Sequence, residues 1–204
     1  THKKWNKMPS KEVLEKTVSS LKEKEINVFI ANSKDEAKKI VLDLIPKGEE
    51  IFTMTSVTLD SIGISKEINE SGNYTSLRNK LFSMDKNQKG EMKKLASAPK
   101  FAIGSVHALT ESGEILIASA TGSQLPAYSY GAQKVIFVLG AQKILKNIDE
   151  GIKRIYEHSL PLESERAKKA YGVSGSSVNK ILIINKEMER DRINVIITKE
   201  VLGF

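Results

Sequence analysis

Residues 101–140 have the sequence FAIGSVHALTESGEILIASATGSQLPAYSYGAQKVIFVLG, and this stretch decides the fold. Two of its segments, 115–120 (ILIASA) and 135–140 (VIFVLG), are apolar at nearly every position. Strands have this composition when helices cover both faces of a parallel sheet. Predicted strands and helices also alternate through most of the remaining chain. The sequence therefore predicts an α/β fold in which a mostly parallel sheet is flanked by helices.

The N-terminal part of the chain predicts two helices. Apolar residues recur at helical spacing over residues 10–24, after a Pro-Ser start signal. Ser33 and Glu36 form a capping box, in which each side chain can satisfy a free amide at the start of a second helix. The residues before the first helix, 1–9, are expected to form an N-terminal tail.

The C-terminal part of the chain predicts a pair of strands. Residues 180–184 and 193–198 are apolar runs, and the charged segment 186–192 lies between them. Two short apolar runs around a polar turn are typical of a β-hairpin. Because no low-complexity linker or internal repeat interrupts the chain, we expect one domain over residues 10–204.

The composition restricts the class of protein. The chain has 204 residues, of which 40% are hydrophobic and 28% charged, as in soluble proteins. No apolar run approaches the ~20 residues that cross a bilayer, so no membrane segment is expected. The absence of cysteine excludes disulfides, a thiolate nucleophile and an iron–sulfur cluster held by this chain's own cysteines. It fits a reducing compartment, and we expect a cytoplasmic location.

The net charge of +7 has two interpretations. A basic protein can bind nucleic acid by releasing counterions from the phosphate backbone. The other interpretation is a lysine-rich surface that water solvates. No basic stripe interleaved with aromatic residues accompanies the charge, and no groove-reading motif is present, so a nucleic-acid partner is not expected.

Three loops follow predicted strands, at the edge where open α/β sheets bind ligands. In the first, residues 55–58 (TSVT) lead from a strand into a helix, so they predict either an anion site or ordinary N-capping by Thr55 or Ser56. The second is residues 107–113. In the third, 119–124 (SATGSQ), small residues would let a ligand approach the backbone closely. Neither a dinucleotide-binding nor a P-loop motif is present.

The second loop contains two titratable candidates. Glu111 could be a nucleophile or a general base, or a turn carboxylate that accepts backbone amides. His107 could contact a ligand or be a hydrogen-bonded core residue. The other histidines, His2 and His158, lie in the expected tail and at a helix end, so no metal site is expected.

Basic and amide side chains near the C-terminus could add to an anion site. Arg166 has acidic neighbours at Glu163 and Glu165, which predicts either a structural ion pair or a guanidinium directed at a carboxylate or phosphate. Asn179 and Lys180 follow a Ser- and Gly-rich loop and could complete such a site.

Several segments together resemble the LUD (lactate-utilisation) domain family, over roughly residues 10–204. The first two are SVTLDSIGI at 56–64 and the core at 101–124, whose T-E-x-G turn between two apolar strands is the most distinctive part. The others are VIFVLGAQKI, PLESERAKKAYGVSGSSVNKILII and RINVIITKEVLGF. Of these three, the segment PLESERAKKAYGVSGSSVNKILII is similar to a single-domain subfamily.

The resemblance implies a fold similar to ribose-5-phosphate isomerase, glucosamine-6-phosphate deaminase and the CoA transferases, which bind sugar phosphates or acyl-CoA at strand ends. Some members of the family belong to lactate-oxidising operons that also encode iron–sulfur proteins. Thr110, Glu111 and Gly113 match the family's turn. Ser112 stands where the CoA transferases have Asn, a departure that weakens the case for CoA transfer. The hydroxyl residues 56–58 stand where the sugar-phosphate enzymes hold phosphate.

Two functions follow as hypotheses. The first is binding of an anionic small molecule, such as an organic acid, a sugar phosphate or an acyl-CoA, in lactate or related carbon metabolism, with Glu111 as base or nucleophile. The alternative is a non-catalytic partner subunit of an iron–sulfur redox complex, or a homodimer. Neither the cofactor nor the existence of catalysis is decided by the residues. The candidate ligand-binding residues are Thr55, Ser56, Thr58, His107, Thr110, Gly113, Thr121, Gly122, Ser123, Gln124, Arg166, Asn179 and Lys180.

Overall fold

The structure of the chain, a computed structural model, describes residues 2–204. The α-helices are α1 (His2–Trp5), α2 (Lys11–Glu23), α3 (Lys34–Leu44), α4 (Val57–Ser61), α5 (Ile64–Glu70), α6 (Leu77–Ser83), α7 (Lys89–Ser97), α8 (Ile148–Arg154) and α9 (Leu160–Tyr171). Single turns of 3₁₀-helix (Lys86–Gln88 and Ala141–Lys143) and of π-helix (Ala127–Gly131 and Ile155–Ser159) lie between them. The strands are β1 (Asn27–Ala31), β2 (Glu50–Thr53), β3 (Thr75–Ser76), β4 (Phe101–Gly104), β5 (Ala108–Thr110), β6 (Ile115–Ser119), β7 (Lys134–Gly140), β8 (Ile144–Leu145), β9 (Lys180–Ile184) and β10 (Ile193–Thr198).

The larger sheet has six strands in the order β1-β10-β7-β4-β2-β3, and every pairing in it is parallel. Its two most apolar strands, β7 and β10, lie side by side, and all six residues of β10 are buried. Helices cover the sheet because such strands have no polar face to expose. The predicted α/β fold with a mostly parallel, helix-flanked sheet is confirmed.

This sheet separates two hydrophobic clusters. Successive side chains of a strand point to opposite faces. In β7, Val135, Phe137 and Leu139 therefore belong to one cluster, and Ile136 and Val138 belong to the other. The first cluster also receives residues of the smaller sheet and of α2, and the second is covered by α3, α4 and α5.

A second, four-stranded sheet has the order β8-β5-β6-β9. Strands β5 and β6 are antiparallel, and β9 is antiparallel to β6. The two C-terminal strands form, but the hairpin predicted for them is wrong, because β9 lies in this sheet while β10 lies between β1 and β7. Their burial explains the separation: β10 is buried throughout, whereas four of the five residues of β9 are at least partly exposed.

The N-terminal helices follow the sequence closely. Helix α2 begins after Ser10, whose hydroxyl accepts a hydrogen bond from the amide of Val13, and α3 is capped in the same way by Ser33. The expected tail at residues 1–9 contains α1, in which Trp5 is buried. Among residues 2–204, no helix combines the length and the apolar character needed to cross a membrane.

Candidate functional site

The largest part of the candidate site is a polar cavity of about 460 Å³. It lies beyond the carboxyl end of β2, where the loop after β6 and the helix α9 meet. Its lining residues are Phe52, Met54, Thr55, Arg78, His107, Ala118, Ser119, Ala120, Thr121, Ser123, Gln124, Ile155, Ser159, Leu160, Glu163, Arg166, Tyr171, Ser176, Ser177 and Val178.

A smaller cavity of about 80 Å³ adjoins the larger one. Met54, Thr55, His107, Gln124, Glu163 and Arg166 line both cavities, so the two form one continuous site. The smaller cavity extends beneath the carboxyl ends of β4 and β7. Its remaining walls are Ser56, Val57, Thr58, Ser105, Val106, Ile117, Tyr128, Lys143 and Phe204.

The structure brings together many of the candidate residues from the three strand-end loops. The larger cavity is lined by Thr55, His107, Thr121, Ser123, Gln124 and Arg166, and the smaller one by Ser56 and Thr58. Ser56 is also the N-cap of α4, where its hydroxyl accepts from the amide of Leu59 at 3.2 Å. Ser56 therefore both caps α4 and lines the smaller cavity.

Two other candidates, Asn179 and Lys180, stand behind the loop that follows β6, and a third, Gly122, lies within it. The amide of Asn179 donates to the main-chain oxygen of Ala120 at 3.1 Å, and Nζ of Lys180 donates to that of Thr121 at 3.0 Å. Gly122 has a φ of +82°, and a Cβ there would lie 2.6 Å from Cδ of Lys180. These residues hold the shape of the loop and are not among the lining residues of either cavity.

The T-E-x-G turn lies at the opposite end of the β5–β6 pair from His107. Glu111 accepts a hydrogen bond from Nζ of Lys16 at 2.9 Å, and neither cavity is lined by it. Gly113 has a φ of +92° and packs against α2, where a Cβ would lie 3.3 Å from the main-chain carbon of Ser20. The structure therefore places Glu111 and Gly113 at a contact with α2, and Thr110 hydrogen-bonds within the same turn.

The same turn contains a second carboxylate, which sequence reasoning missed. Glu114 accepts hydrogen bonds from Lys24 at 2.8 Å, from Ser112 at 2.6 Å and from Thr110. Burial raises the pKa of Glu114, but these hydrogen bonds outweigh it and lower the pKa to about 2. Glu114 is therefore ionised at neutral pH and ties the turn to α2.

His107 enters the site as a neutral hydrogen-bond donor. Its Nδ1 accepts a hydrogen bond from the main-chain amide of Ala118 at 3.1 Å, so the proton of the neutral ring is on Nε2. Burial lowers the pKa of His107 to about 3, and the charges of Lys143 and Arg154 act in the same direction. The ring can donate to a ligand from Nε2, and both cavities are within its reach.

Arg154 lies beneath the floor of the site. Its Nη1 donates to the main-chain oxygen of His107 at 2.7 Å and to the hydroxyl of Ser159 at 3.1 Å, and both of these residues line the larger cavity. Nε and Nη2 are buried and have no hydrogen-bond partner among residues 2–204. Burial lowers the pKa of Arg154 to about 10, so the group remains positively charged at neutral pH.

Two further arginines lie in the wall. Arg78 donates to the main-chain oxygen of Thr53 at 3.3 Å and to the hydroxyl of Thr55 at 3.0 Å. Arg166 forms a bidentate pair with Glu163 at 2.8 and 2.7 Å, and these hydrogen bonds raise the pKa of Arg166. The predicted ion pair of Arg166 therefore forms, and it forms inside the wall of the site.

Lys143 ends the 3₁₀ turn after β7 and is 1% exposed. Its Nζ lies 3.0 Å from the main-chain oxygen of Val106 and 3.2 Å from that of Phe204. Burial, followed by the charge of Arg154, holds the pKa of Lys143 well below its ordinary value. Sequence reasoning missed this residue, although its place directly after a buried strand was a usable signal.

The polar side chains around the two cavities are of a few chemical kinds. Within residues 2–204, no group of three or more His, Asp or Glu side chains is placed to hold a metal. The polar side chains that line the cavities are mainly hydroxyls, amides and cations, which are groups that can donate hydrogen bonds.

The fold and the site define a class of protein: an α/β domain with a second small sheet and a polar cavity at its strand ends. The sequence profile of the LUD domain matches residues 14–198, and the chain belongs to the LUD domain family. No curated protein matches the sequence.

Solved structures extend the comparison. A DUF162 family protein from Deinococcus radiodurans has 10% identity and a TM-score of 0.56, covering 92% of this chain and 96% of its own, so the two share a fold. The eIF2B beta structure from Chaetomium thermophilum has 11% identity and a TM-score of 0.39, covering 67% and 47%. The eIF2B delta structure from the same organism has 19% identity and a TM-score of 0.34, covering 69% and 57%.

Proposed function

We propose that this LUD domain protein binds a small organic anion in the continuous cavity at its strand ends. One observation carries the proposal: within residues 2–204, Arg78 and Arg154 have no Asp or Glu carboxylate within 4 Å. A buried or half-buried cation without a counter-ion is costly, and a bound anion would supply the missing charge. The one carboxylate in the wall, that of Glu163, is already paired with Arg166.

The other polar groups of the site agree with an anionic ligand. His107 offers Nε2–H, and the loop after β6 offers the hydroxyls of Thr121 and Ser123 and the amide of Gln124. Each of these groups can donate a hydrogen bond to a carboxylate or phosphate oxygen. Because these donors are neutral, they can hydrogen-bond the ligand without placing a further charge inside the site.

The volume favours a small ligand. Ligand sites in proteins commonly span ~300–1,000 Å³, and the larger cavity has about 460 Å³. An organic acid or a sugar phosphate would fit inside it, whereas an acyl-CoA could insert only its acyl end. Because the family is named for lactate utilisation, organic acids of that size are the first ligands to test.

A thermal-shift panel of lactate, pyruvate, sugar phosphates, inorganic phosphate and acyl-CoA tests the proposal. A ligand at 100 times its dissociation constant adds about 2.7 kcal/mol to the free energy of unfolding, which raises the melting temperature measurably. Arg78→Gln should weaken binding of a positive compound about 10- to 100-fold, since a hydrogen bond to a charged group contributes ~1.5–3 kcal/mol.

Arg190→Gln is the matched control. Arg190 is 80% exposed, pairs with Glu25 at 3.4 Å and lines neither cavity, so its removal should leave the affinity unchanged. A panel without any stabilising anion would overturn the proposal. So would a compound whose affinity is the same for the wild type and for Arg78→Gln.

A further inference from the structure

The larger cavity is bounded by apolar surface from two hydrophobic clusters. Phe52 and Met54 belong to the first of the clusters described above. Ala118, Ile155 and Val178 belong to a third cluster, which the smaller sheet forms with α8. Polar groups therefore line only part of this cavity, and a ligand that fills it contacts both apolar walls.

We propose that the anion bound here is a monocarboxylate whose aliphatic chain is longer than that of lactate, such as a straight-chain acid of medium length. The inference rests on the anion-binding function proposed above and names the class of its ligand. One water occupies ~30 Å³ in the liquid, so a cavity of about 460 Å³ corresponds to roughly fifteen waters. An acid of the size of lactate would therefore leave most of the cavity filled with water.

A cation lies directly beside the first apolar wall. Nη1 of Arg78 donates at 3.3 Å to the main-chain oxygen of Thr53, the residue between Phe52 and Met54. Nη2 donates to the hydroxyl of Thr55 at 3.0 Å. A guanidinium has five N–H donors, so donors remain for a carboxylate, and the hydroxyl of Thr55 keeps its own proton to donate. An acid whose carboxylate binds Arg78 therefore begins its carbon chain at the wall of Phe52 and Met54.

The second apolar wall is held in place by hydrogen bonds of the main chain. The amide of Ala118 donates to Nδ1 of His107 at 3.1 Å. Val178 precedes Asn179, whose main-chain amide donates to the main-chain oxygen of Ser119 at 3.1 Å. Ala118 and Val178 therefore flank the carboxyl end of β6, where an aliphatic chain can pack against them.

The charges of the larger cavity favour a ligand with a single negative charge. Among residues 2–204, the Arg, Lys, Asp and Glu side chains that line it are Arg78, Glu163 and Arg166. Glu163 and Arg166 form a bidentate pair at 2.8 and 2.7 Å, so Arg78 is the cation that a ligand would neutralise. A monocarboxylate supplies one negative charge, whereas a phosphate dianion would leave an excess charge in the same cavity as Glu163.

The apolar walls favour an aliphatic acid over a sugar. Sugar hydroxyls placed against Phe52, Ile155 or Val178 would give up their hydrogen bonds to water without a replacement, which costs free energy. An aliphatic chain gains free energy at the same surface, because apolar area is removed from water. We therefore expect the cavity to discriminate between acids by the length of their carbon chains.

Isothermal titration calorimetry of the full chain with acetate, lactate, butanoate, hexanoate and octanoate tests the inference. The affinity should rise about fourfold with each methylene that becomes buried, which is the equivalent of ~0.8 kcal/mol. The heat-capacity change of binding should become more negative along the series, as burial of apolar surface requires. Hexan-1-ol, which has the chain of hexanoate without its charge, should bind at least about tenfold more weakly, because it cannot form a charge-assisted pair with Arg78. Glucose 6-phosphate should also bind more weakly than hexanoate.

Two substitutions of similar shape assign the effect to the apolar wall. Val178→Thr places a hydroxyl on the cavity surface, so it should weaken octanoate at least about threefold and leave acetate unchanged. Val173→Thr is the matched control, since Val173 is 46% exposed, lies in the same segment after α9 and lines neither cavity. Arg78→Gln should instead weaken every acid by a similar factor and leave the dependence on chain length intact.

The outcomes separate this inference from the anion site itself. If acetate and lactate bind as tightly as octanoate, or glucose 6-phosphate binds more tightly than hexanoate, the aliphatic ligand is excluded and the anion site stands. If hexan-1-ol binds as tightly as hexanoate, or no anion binds, the anion site fails together with the inference. An affinity that rises with chain length but is unchanged in both Val178→Thr and Arg78→Gln would place the acid elsewhere on the chain and overturn both proposals.

Discussion

The Nδ1 atom of His107 accepts a hydrogen bond from the main-chain amide of Ala118 at 3.1 Å, which assigns the ring proton to Nε2. The same ring has a pKa lowered to about 3 by burial and by the charges of Lys143 and Arg154. We therefore expect His107 to remain neutral through the physiological pH range. Nitrogen-15 NMR of the imidazole should show the Nε2–H tautomer without titration between pH 5 and 8.

His107 should also make the stability depend on pH. The pKa of His107 is about 3 in the folded chain and 6.5 for an ordinary histidine, so the unfolded chain binds the extra proton between these values. The stabilisation is complete above pH 6.5 and is lost as the pH falls toward 3. Relative to His107→Gln, the wild type should lose up to about 1.4 kcal/mol more per pH unit in this window. Parallel urea-unfolding curves for the two proteins would contradict this.

The fold was predictable because its signal is local. Runs such as 135–140 and 193–198 are apolar at nearly every position, and a parallel, covered sheet is the arrangement that buries them. The second sheet was not predictable, because β5 has three residues and β8 has two, and such short strands depend on distant partners. The pairing of β10 with β1 and β7 likewise joins segments that are far apart in the sequence, so no local signal predicts it.

The location of the candidate site was predictable from the sequence, but the charged residues around it were not. The loops at 55–58 and 119–124 follow strands, and the strand-end rule applies to them directly. Arg78 and Arg154 gave no comparable signal, because a cation in a chain with 32 basic residues resembles any solvated one. Their burial and their missing counter-ions are properties of the packed structure.

Arg192 should be a major contributor to stability. Its guanidinium is 3% exposed and donates to the main-chain oxygens of Ala127, Tyr128 and Ala132, at 2.9, 3.1 and 2.8 Å. It also pairs with Glu187 at 2.9 Å. Arg192→Met should lower the free energy of unfolding by about 3–5 kcal/mol, because it leaves a carboxylate and three carbonyls without their donor.

The neighbouring Arg190 provides the control for that measurement. It is 80% exposed and its pair with Glu25 is at the surface, so Arg190→Met should cost no more than about 1 kcal/mol. Urea unfolding of both variants compares the two arginines directly. Equal losses would show that the network of Arg192 around the π-helical turn does not contribute to stability.

Gly104 and Tyr128 should be coupled energetically. A Cβ on Gly104 would lie 1.8 Å from the hydroxyl oxygen of Tyr128 and 2.9 Å from its Cζ. Gly104→Ala should therefore destabilise the chain by about 1–3 kcal/mol, as overpacking does. Tyr128→Phe removes the closer atom, so the double variant should recover part of the loss. Additive losses in a double-mutant cycle would exclude a direct clash.

The two carboxylates of the T-E-x-G turn should behave differently. Glu111 pairs with Lys16, whose side chain is 62% exposed, so Glu111→Gln should cost no more than about 1 kcal/mol and leave anion affinity unchanged. Glu114 has a pKa lowered to about 2, so Glu114→Gln should cost on the order of 2–3 kcal/mol at neutral pH.

The pH dependence separates the two variants further. A carboxylate with a lowered folded pKa stabilises the chain fully above its unfolded value of 4.5, and this contribution is lost as the pH falls toward 2. The difference between wild type and Glu114→Gln should therefore shrink from pH 6 to pH 3, whereas Glu111→Gln should stay close to wild type. If Glu111→Gln instead abolished binding of an anion that Glu114→Gln retains, the reacting or binding group would be at the turn, and the cavity at the strand ends would lose its role.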